Sequence, residues 1–277
     1  MNWKILPLAA LLVGLPGVFG LQAEDAISSP KPLLRAHAHN DYEHEHPLFD
    51  AMAQGFCSVE ADINLVNGKL LVAHNIMDVK PERTLESLYL EPMRQRIKQN
   101  GGHLYPNGPE CVLLIDFKTA GAPTYAVLRK VLENYADILT VFRDGKKETN
   151  AITAILTGGY PRDLLAADKV RYAAGDGKLS DLTNNPPATL VPWISEPWGQ
   201  FFKWRATKGP IPAGEKAKLK DIVAKAHAQG RQVRFWGSPD KPVFWEELLD
   251  DDVDLINTDD LPGYAKFYWE WKARKKE

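Results

Sequence analysis

The chain has 277 residues, 44% of them hydrophobic and 25% charged, with 34 Lys+Arg against 36 Asp+Glu. That composition supports one large globular core and excludes a disordered or fibrous chain. A net charge of −2 gives no general attraction to nucleic acid or anionic membrane, so no nucleic-acid partner is expected and any phosphate recognition must be local.

The N-terminus is read apart from the fold. Met1–Lys4 carry one positive charge, Ile5–Phe19 are apolar apart from Gly and Pro, and small residues follow at Gly20 and Ala23. This pattern predicts a signal peptide over residues 1–23, with a mature start between Leu21 and Ala26 and export (secretion or the periplasm). The apolar run is short for a membrane span, so no transmembrane anchor is expected after cleavage; an uncleaved N-terminal anchor is the alternative. Residues 24–277 are expected to form a single, monomeric domain. Cys57 and Cys111 either pair in the oxidising space that export implies or stay as two buried thiols; the sequence leaves both open.

Predicted strands follow in chain order at Leu33–Ala38, Ser58–Ile63, Leu70–Ala73, Val112–Phe117, Ala151–Leu156, Val170–Ala173, Leu190–Ile194, Val233–Trp236 and Val253–Asn257. Helical patterns separate many of them. One covers Thr124–Ala136 after Pro123. Another covers Glu215–Gln229, with Leu219, Ile222, Val223 and Ala226 on one face and a stop at Gly230. Continuously apolar strands alternating with helices indicate a parallel sheet covered on both faces. The length suits a TIM-type (β/α)8 barrel. An open doubly wound sheet would carry a Gly-rich turn after its first strand, where this chain has Ala36-His37-Ala38-His39-Asn40-Asp41-Tyr42.

Polar residues gather at the C-terminal ends of these strands, the end where barrel enzymes keep their sites. Glu60 and Asp62 are two apart and share one face of a strand. Two buried carboxylates repel each other and are costly to desolvate; a hard divalent cation, Ca²⁺ or Mg²⁺, relieves both problems with oxygen ligands. Asp116 is placed to supply a third carboxylate and Asn40 a neutral oxygen. The alternative is pairing of these acids with Lys118 or Arg35. His37 and His39 close the first strand and His74 follows the third, so histidines bracket the acidic pair and are candidates for proton transfer. His44 and His46 fall in a polar loop, and His103 and His227 receive no role. A zinc amidohydrolase also begins with His-x-His but needs further strand-borne histidines, which are absent after His74. Trp193, Trp198, Phe201, Phe202 and Trp204 follow a late strand and form either an apolar lip or a packed loop.

These residues resemble the phospholipase-C-like phosphodiesterases, the superfamily of glycerophosphodiester phosphodiesterases, phosphatidylinositol-specific phospholipases C and sphingomyelinase D. His39-Asn40-Asp41-Tyr42 is similar to the His-Asn-Thr-Tyr motif that carries a catalytic His and a metal-binding Asn. The segment Gly55…Glu60-Ala61-Asp62 resembles the strand that supplies metal ligands, and Leu71-Val72-Ala73-His74 the segment of the second catalytic His. Leu113-Leu114-Ile115-Asp116-Phe117-Lys118 is similar to the strand whose acid completes the metal site and whose Lys faces the phosphate. Val233-Arg234-Phe235-Trp236 and Asp254-Leu255-Ile256-Asn257-Thr258-Asp259 resemble the last two strands. A sphingomyelinase-like register would make His37 the catalytic residue; the His-Asn-Thr-Tyr register makes it His39 and matches Asn40 and Tyr42 as well. The His-Arg-Gly opening of glycerophosphodiesterases is absent.

The resemblance implies a metal-dependent hydrolase or cyclising lyase of a small-molecule or lipid phosphodiester. His39 and His74 are then the acid–base pair, with His37 beside them. Glu60, Asp62, Asp116 and Asn40 hold the cation, Lys118 supports the phosphorane, and Trp236 binds substrate. A barrel that binds a phosphorylated polyol or sugar without cleaving it is the alternative.

Overall fold

Eight parallel strands alternate with helices and close on themselves in a computed structural model, which describes Met1 and residues 30–275. The predicted signal peptide therefore lies, apart from Met1, outside the described residues. The barrel strands are β1 (Ala36–Ala38), β2 (Ser58–Val66), β3 (Cys111–Phe117), β4 (Ile152–Gly158), β5 (Ala173–Gly177), β6 (Trp193–Pro197), β7 (Gln232–Trp236) and β8 (Leu255–Thr258). Each pairs in parallel with its neighbour, and β1 closes the ring by pairing with both β8 and β2. This is the predicted TIM-type barrel. Among the described residues no helix is long and apolar enough to cross a membrane.

Strand alternation divides the side chains into two sets. Val59, Ala61, Ile63, Leu113, Ile115 and Phe117 join the large apolar cluster between the strands and the helices around them. Leu114, Ile155, Ala174, Trp193 and Leu255 form a second, separate cluster that also takes in Phe142. These strand residues share a face with the polar positions two residues further on, so the second cluster plugs the barrel interior below them. Above this plug the inward positions turn polar: His37, Glu60, Asp62, Asp116, Asp176, Ser195, Arg234 and Asn257.

The third predicted strand is not a barrel stave. β2 runs past the barrel rim to Val66, turns at Asn67-Gly68 (φ +49° and +78°) and returns as the antiparallel strand Lys69–Val72. Both turn residues have positive φ, the geometry of a tight hairpin, which Asn-Gly adopts readily. The return bonds Ala73 N to Asp62 O at 3.2 Å and delivers His74 above Asp62. Two later strands run further toward the rim than the sequence predicts. Val170–Arg171 instead pairs with Val141–Arg143 in a small outer sheet, and β5 starts only at Ala173. The predicted helices appear as Gly121–Glu133 and Ala213–Ala228. Trp198, Phe202 and Trp204 are buried against one another, Phe235 and Phe244, so this aromatic run is a packed loop. Cys57 and Cys111 are free, buried thiols.

Candidate active site

A polar cavity of about 350 Å³ opens at the C-terminal mouth of the barrel, lined by His39, Asn40, Glu60, His74, Asp116, Lys118, Thr157, Gly158, Lys178, Arg234 and Trp236. A larger cavity of about 550 Å³ lies at the opposite mouth among Leu34, Val112, Phe142, Ile155 and Trp193; it is mainly apolar and holds none of the clustered acids or histidines. The smaller cavity is therefore the one with chemistry.

The acids come together. Carboxylate oxygens of Glu60, Asp62 and Asp116 all lie within 4.8 Å of one another, because β2 and β3 pair Asp62 directly with Asp116. Asp62 is buried, and its Oδ1 has no hydrogen-bond partner. Burial, with the charges of Glu60 and Asp116 added, raises the Asp62 pKa. An orphaned, buried carboxylate oxygen in an all-oxygen donor set fits a hard cation.

The acids also have side-chain cations. Lys118 Nζ lies 2.9 Å from Asp62 Oδ2 and 2.7 Å from Asp116 Oδ2. Arg234 Nη1 lies 3.6 Å from Glu60 Oε2. Arg35 is elsewhere, bonded to the carbonyls of Leu249 and Val253. Ion pairing and a metal-capable cluster thus coexist, and Arg234 takes the place expected of Arg35.

The three histidines sit in different settings. His37 is fully buried, with Nδ1 2.7 Å from Ser58 Oγ and Nε2 3.3 Å from Glu60 Oε2. Burial and the Arg234 charge depress its pKa to about 4, so it is neutral at ordinary pH and does not line the cavity. Burial would raise the Glu60 pKa, but the His37 hydrogen bond and Arg234 hold it at about 2. His39 lines the cavity with Nδ1 2.8 Å from Asp259 Oδ1. Burial alone would lower its pKa; the Asp259 hydrogen bond and the Glu60 charge outweigh it and the pKa is raised. His74 is half exposed, with Nδ1 2.9 Å from Asp62 Oδ2. Each of these two rings is oriented through Nδ1 by a carboxylate, and neither Nε2 has a protein partner among the described residues.

Asn40 adopts a left-handed conformation (φ 48°, ψ 35°). Its amide lies between Tyr42 Oη at 2.8 Å and His39 Nδ1 at 3.2 Å. Tyr42 Oη also lies 2.6 Å from Asp62 Oδ2, linking the β1 exit to the acids. Trp236 stands at the rim, 39% exposed.

Sequence reasoning missed several residues of this site. Asp259 faces His39 because β1 and β8 pair His37 with Asn257 and Ala38 with Thr258; barrel closure makes neighbours of positions 220 apart, with no local signal. Arg234 is two residues before Trp236 and shares its strand face, a signal that was present. It is buried and fixed by Ser195 Oγ at 3.2 Å and Asn257 Oδ1 at 3.0 Å, while its Nη2 has no partner among the described residues. Asp176 and Lys178 lie beyond the predicted end of their strand.

Comparison with known proteins gives a consistent kinship. A family model described as the AIM6-like phosphodiesterase domain matches residues 26–174. The protein named Altered inheritance of mitochondria protein 6 of Eremothecium gossypii is 33% identical over 270 residues, spanning 85% of this chain and 69% of that protein. Its homolog in Arthroderma benhamiae is 28% identical, over 84% of this chain and 83% of that protein. A solved glycerophosphodiester phosphodiesterase from Agrobacterium tumefaciens str. C58 shares the fold at a TM-score of 0.50 and 14% identity, covering 85% of this chain and 99% of that one.

These relatives overturn the expectation of export. They carry a name tied to mitochondria, not to secretion. One positive charge before an apolar run marks a segment that favours an apolar environment, but it does not specify which membrane or compartment. Matched over more than half its length, with the acidic triad and the oriented histidines inside a closed barrel, this chain belongs to the AIM6-like phosphodiesterase family.

Proposed function

We propose that this protein is a metal-dependent phosphodiesterase that cleaves a glycerophosphodiester or phospholipid-type phosphodiester by two-histidine acid–base catalysis. The observation that carries the reading is the pairing of His39 with Asp259 and of His74 with Asp62 around the Glu60–Asp62–Asp116 cluster. One histidine takes the proton from the attacking hydroxyl as its oxygen bonds to phosphorus. The other gives a proton to the leaving oxygen as the old P–O bond breaks. Such groups contribute roughly 10²–10⁴-fold in rate.

Glu60, Asp62 and Asp116, with Asn40 beside them, are the residues that would hold Ca²⁺ or Mg²⁺. The ion, when bound, would neutralise phosphate charge and favour ionisation of the attacking hydroxyl. Lys118 and the free Nη2 of Arg234 offer preorganised donors to the developing phosphorane, where fixed charge is most effective. His37 is a positioning residue for Glu60 in this scheme and Trp236 a substrate contact. A barrel that only binds its ligand is less well supported, because both cavity histidines keep an oriented Nε2 that is unbonded among the described residues.

The test is turnover of glycerophosphodiesters, phosphatidylinositol and lysophospholipids by purified protein. Chelation should abolish it, and Ca²⁺ or Mg²⁺ should restore it. Full turnover after exhaustive chelation, with no metal by elemental analysis, would overturn the acidic-cluster assignment.

A further inference from the structure

Lys178 stands on the side of the cavity away from the acids and histidines. It follows β5, which lies diametrically across the ring from β1. The other two cations of the cavity face carboxylates, Lys118 at Asp62 and Asp116 and Arg234 at Glu60. Lys178 makes no ion pair among the described residues; its Nζ donates to Ser195 O at 3.0 Å. Asp176, two residues earlier, is buried beneath it with Oδ2 on Thr157 Oγ1, outside ion-pair reach of Nζ.

The lysine is held at both ends. Its backbone N–H donates to Asp181 Oδ2 at 2.8 Å, and Asp181 is itself fixed by two bonds from Arg162, at 2.7 and 2.9 Å. Ordering a free lysine on binding carries an entropic cost that this tether has already met in part. On β4, between β3 and β5, the cavity wall carries only Thr157 and Gly158, so no bulky side chain separates the acidic cluster from the ammonium. Trp236 lines the cavity from β7, midway round the ring between β1 and β5.

Resting on the reading of the site as a phosphodiesterase centre, we propose that Lys178 binds a second anionic group, a phosphomonoester or a carboxylate, on an alcohol portion of the substrate. The scissile phosphate falls to the acidic cluster with Lys118 and Arg234. The alcohol then extends across Gly158 toward Lys178, with Trp236 covering its carbon frame. An ammonium that feels Asp176 only at a distance and makes no ion pair among the described residues gains an anionic partner without breaking an existing pair, and its charge-assisted hydrogen bonds are stronger than neutral ones.

The test compares three matched diesters: glycerophosphoglycerol, the same compound ending in a phosphomonoester, and an analogue ending in a carboxylate. The native protein should show a higher kcat/KM on at least one anion-bearing diester than on the neutral one, expressed mainly in KM. The two charged substrates separate phosphomonoester from carboxylate recognition. Lys178→Met should reduce that selectivity ratio about tenfold, the size of one good ion contact, and Lys178→Arg should retain part of it. A native ratio at or below one, or a ratio unchanged in Lys178→Met, overturns the assignment of Lys178 while leaving the phosphodiesterase reading intact. No turnover of any of the three, with Ca²⁺ or Mg²⁺ supplied, overturns the assignment of Lys178; no turnover of phosphatidylinositol and lysophospholipids as well overturns both.

Discussion

Gly158 offers a sharp test of how tightly the acidic cluster is built. It ends β4 with φ +69°, and a Cβ placed there would fall far inside contact distance of Asp116 Oδ1, as well as 2.9 Å from Phe117 O. Gly158→Ala therefore adds two penalties. Left-handed backbone costs a non-glycine residue about 1–2 kcal/mol. The methyl group also requires Asp116 to withdraw by on the order of 1 Å, a misplacement that typically costs about 10²-fold in rate. Gly145 isolates the first penalty, because its φ is +75° and a Cβ there would meet nothing within 4 Å. Thermal melts of both variants should fall by a few degrees, at about 2–4 °C per kcal/mol for a chain of this size. Only Gly158→Ala should also lose metal-dependent diester turnover, by about 10²-fold. Native-like turnover in Gly158→Ala would refute the claim that Asp116 must occupy its observed position.

Further outcomes follow from the same geometry. His39→Ala and His74→Ala should each lower turnover about 10²–10⁴-fold with unchanged melting. His37→Ala should cost about 1–3 kcal/mol in urea unfolding for the buried groups it leaves unpaired and, acting through Glu60, should lower turnover less than the other two changes; a fully stable His37→Ala that loses more turnover than His39→Ala would favour the sphingomyelinase-like register. Asp259→Asn should reduce kcat/KM about tenfold, one charge-assisted hydrogen bond's worth, and native-like kinetics would remove Asp259 from the site. Burial raises the Asp176 pKa. A carboxyl raised in the native state contributes most below its unfolded pKa and loses that contribution as pH rises through the native value. Asp176→Asn should therefore stabilise the protein above the native Asp176 pKa and give no benefit below the ordinary aspartate value of 3.8; equal urea-midpoint shifts at alkaline pH and below that value would contradict this.

The barrel was readable because continuously apolar strands and amphipathic helices each carry a distinct period. Glu60, Asp62, Asp116, Lys118 and His74 were readable for a related reason: strand alternation sends i and i+2 to the same face, so the polar ends announce themselves. Where strands five and six ended was not readable. Ala173–Gly177 contains two glycines and an aspartate, which weaken any apolar run, so no strand pattern marks Asp176 and Lys178. His39 and Asp259 meet only through ring closure, which no local pattern encodes. The apolar N-terminal run suggested export, yet hydrophobicity alone does not name a destination, and the relatives point elsewhere.

The seam that closes the barrel is among its thinnest. β1 has three residues; it pairs with β2 only at Ala38–Val59, with an outlying bridge between Leu33 and Phe56. β2 and β3, by contrast, share six pairs. In terms of local opening, this joint, like those of β5 with β6 and β7 with β8, is one where separation disrupts few bonds. His39 and Asn40 ride on one lip of it, Glu60 and Asp62 on the other. Whatever spans the lips acts as a latch: its binding free energy is added to the closed form and bears on a joint that is thinly bonded. Amide exchange along residues 36–40 should therefore slow more than elsewhere when the cavity fills, so that occupancy of the site is reported by the integrity of the ring itself.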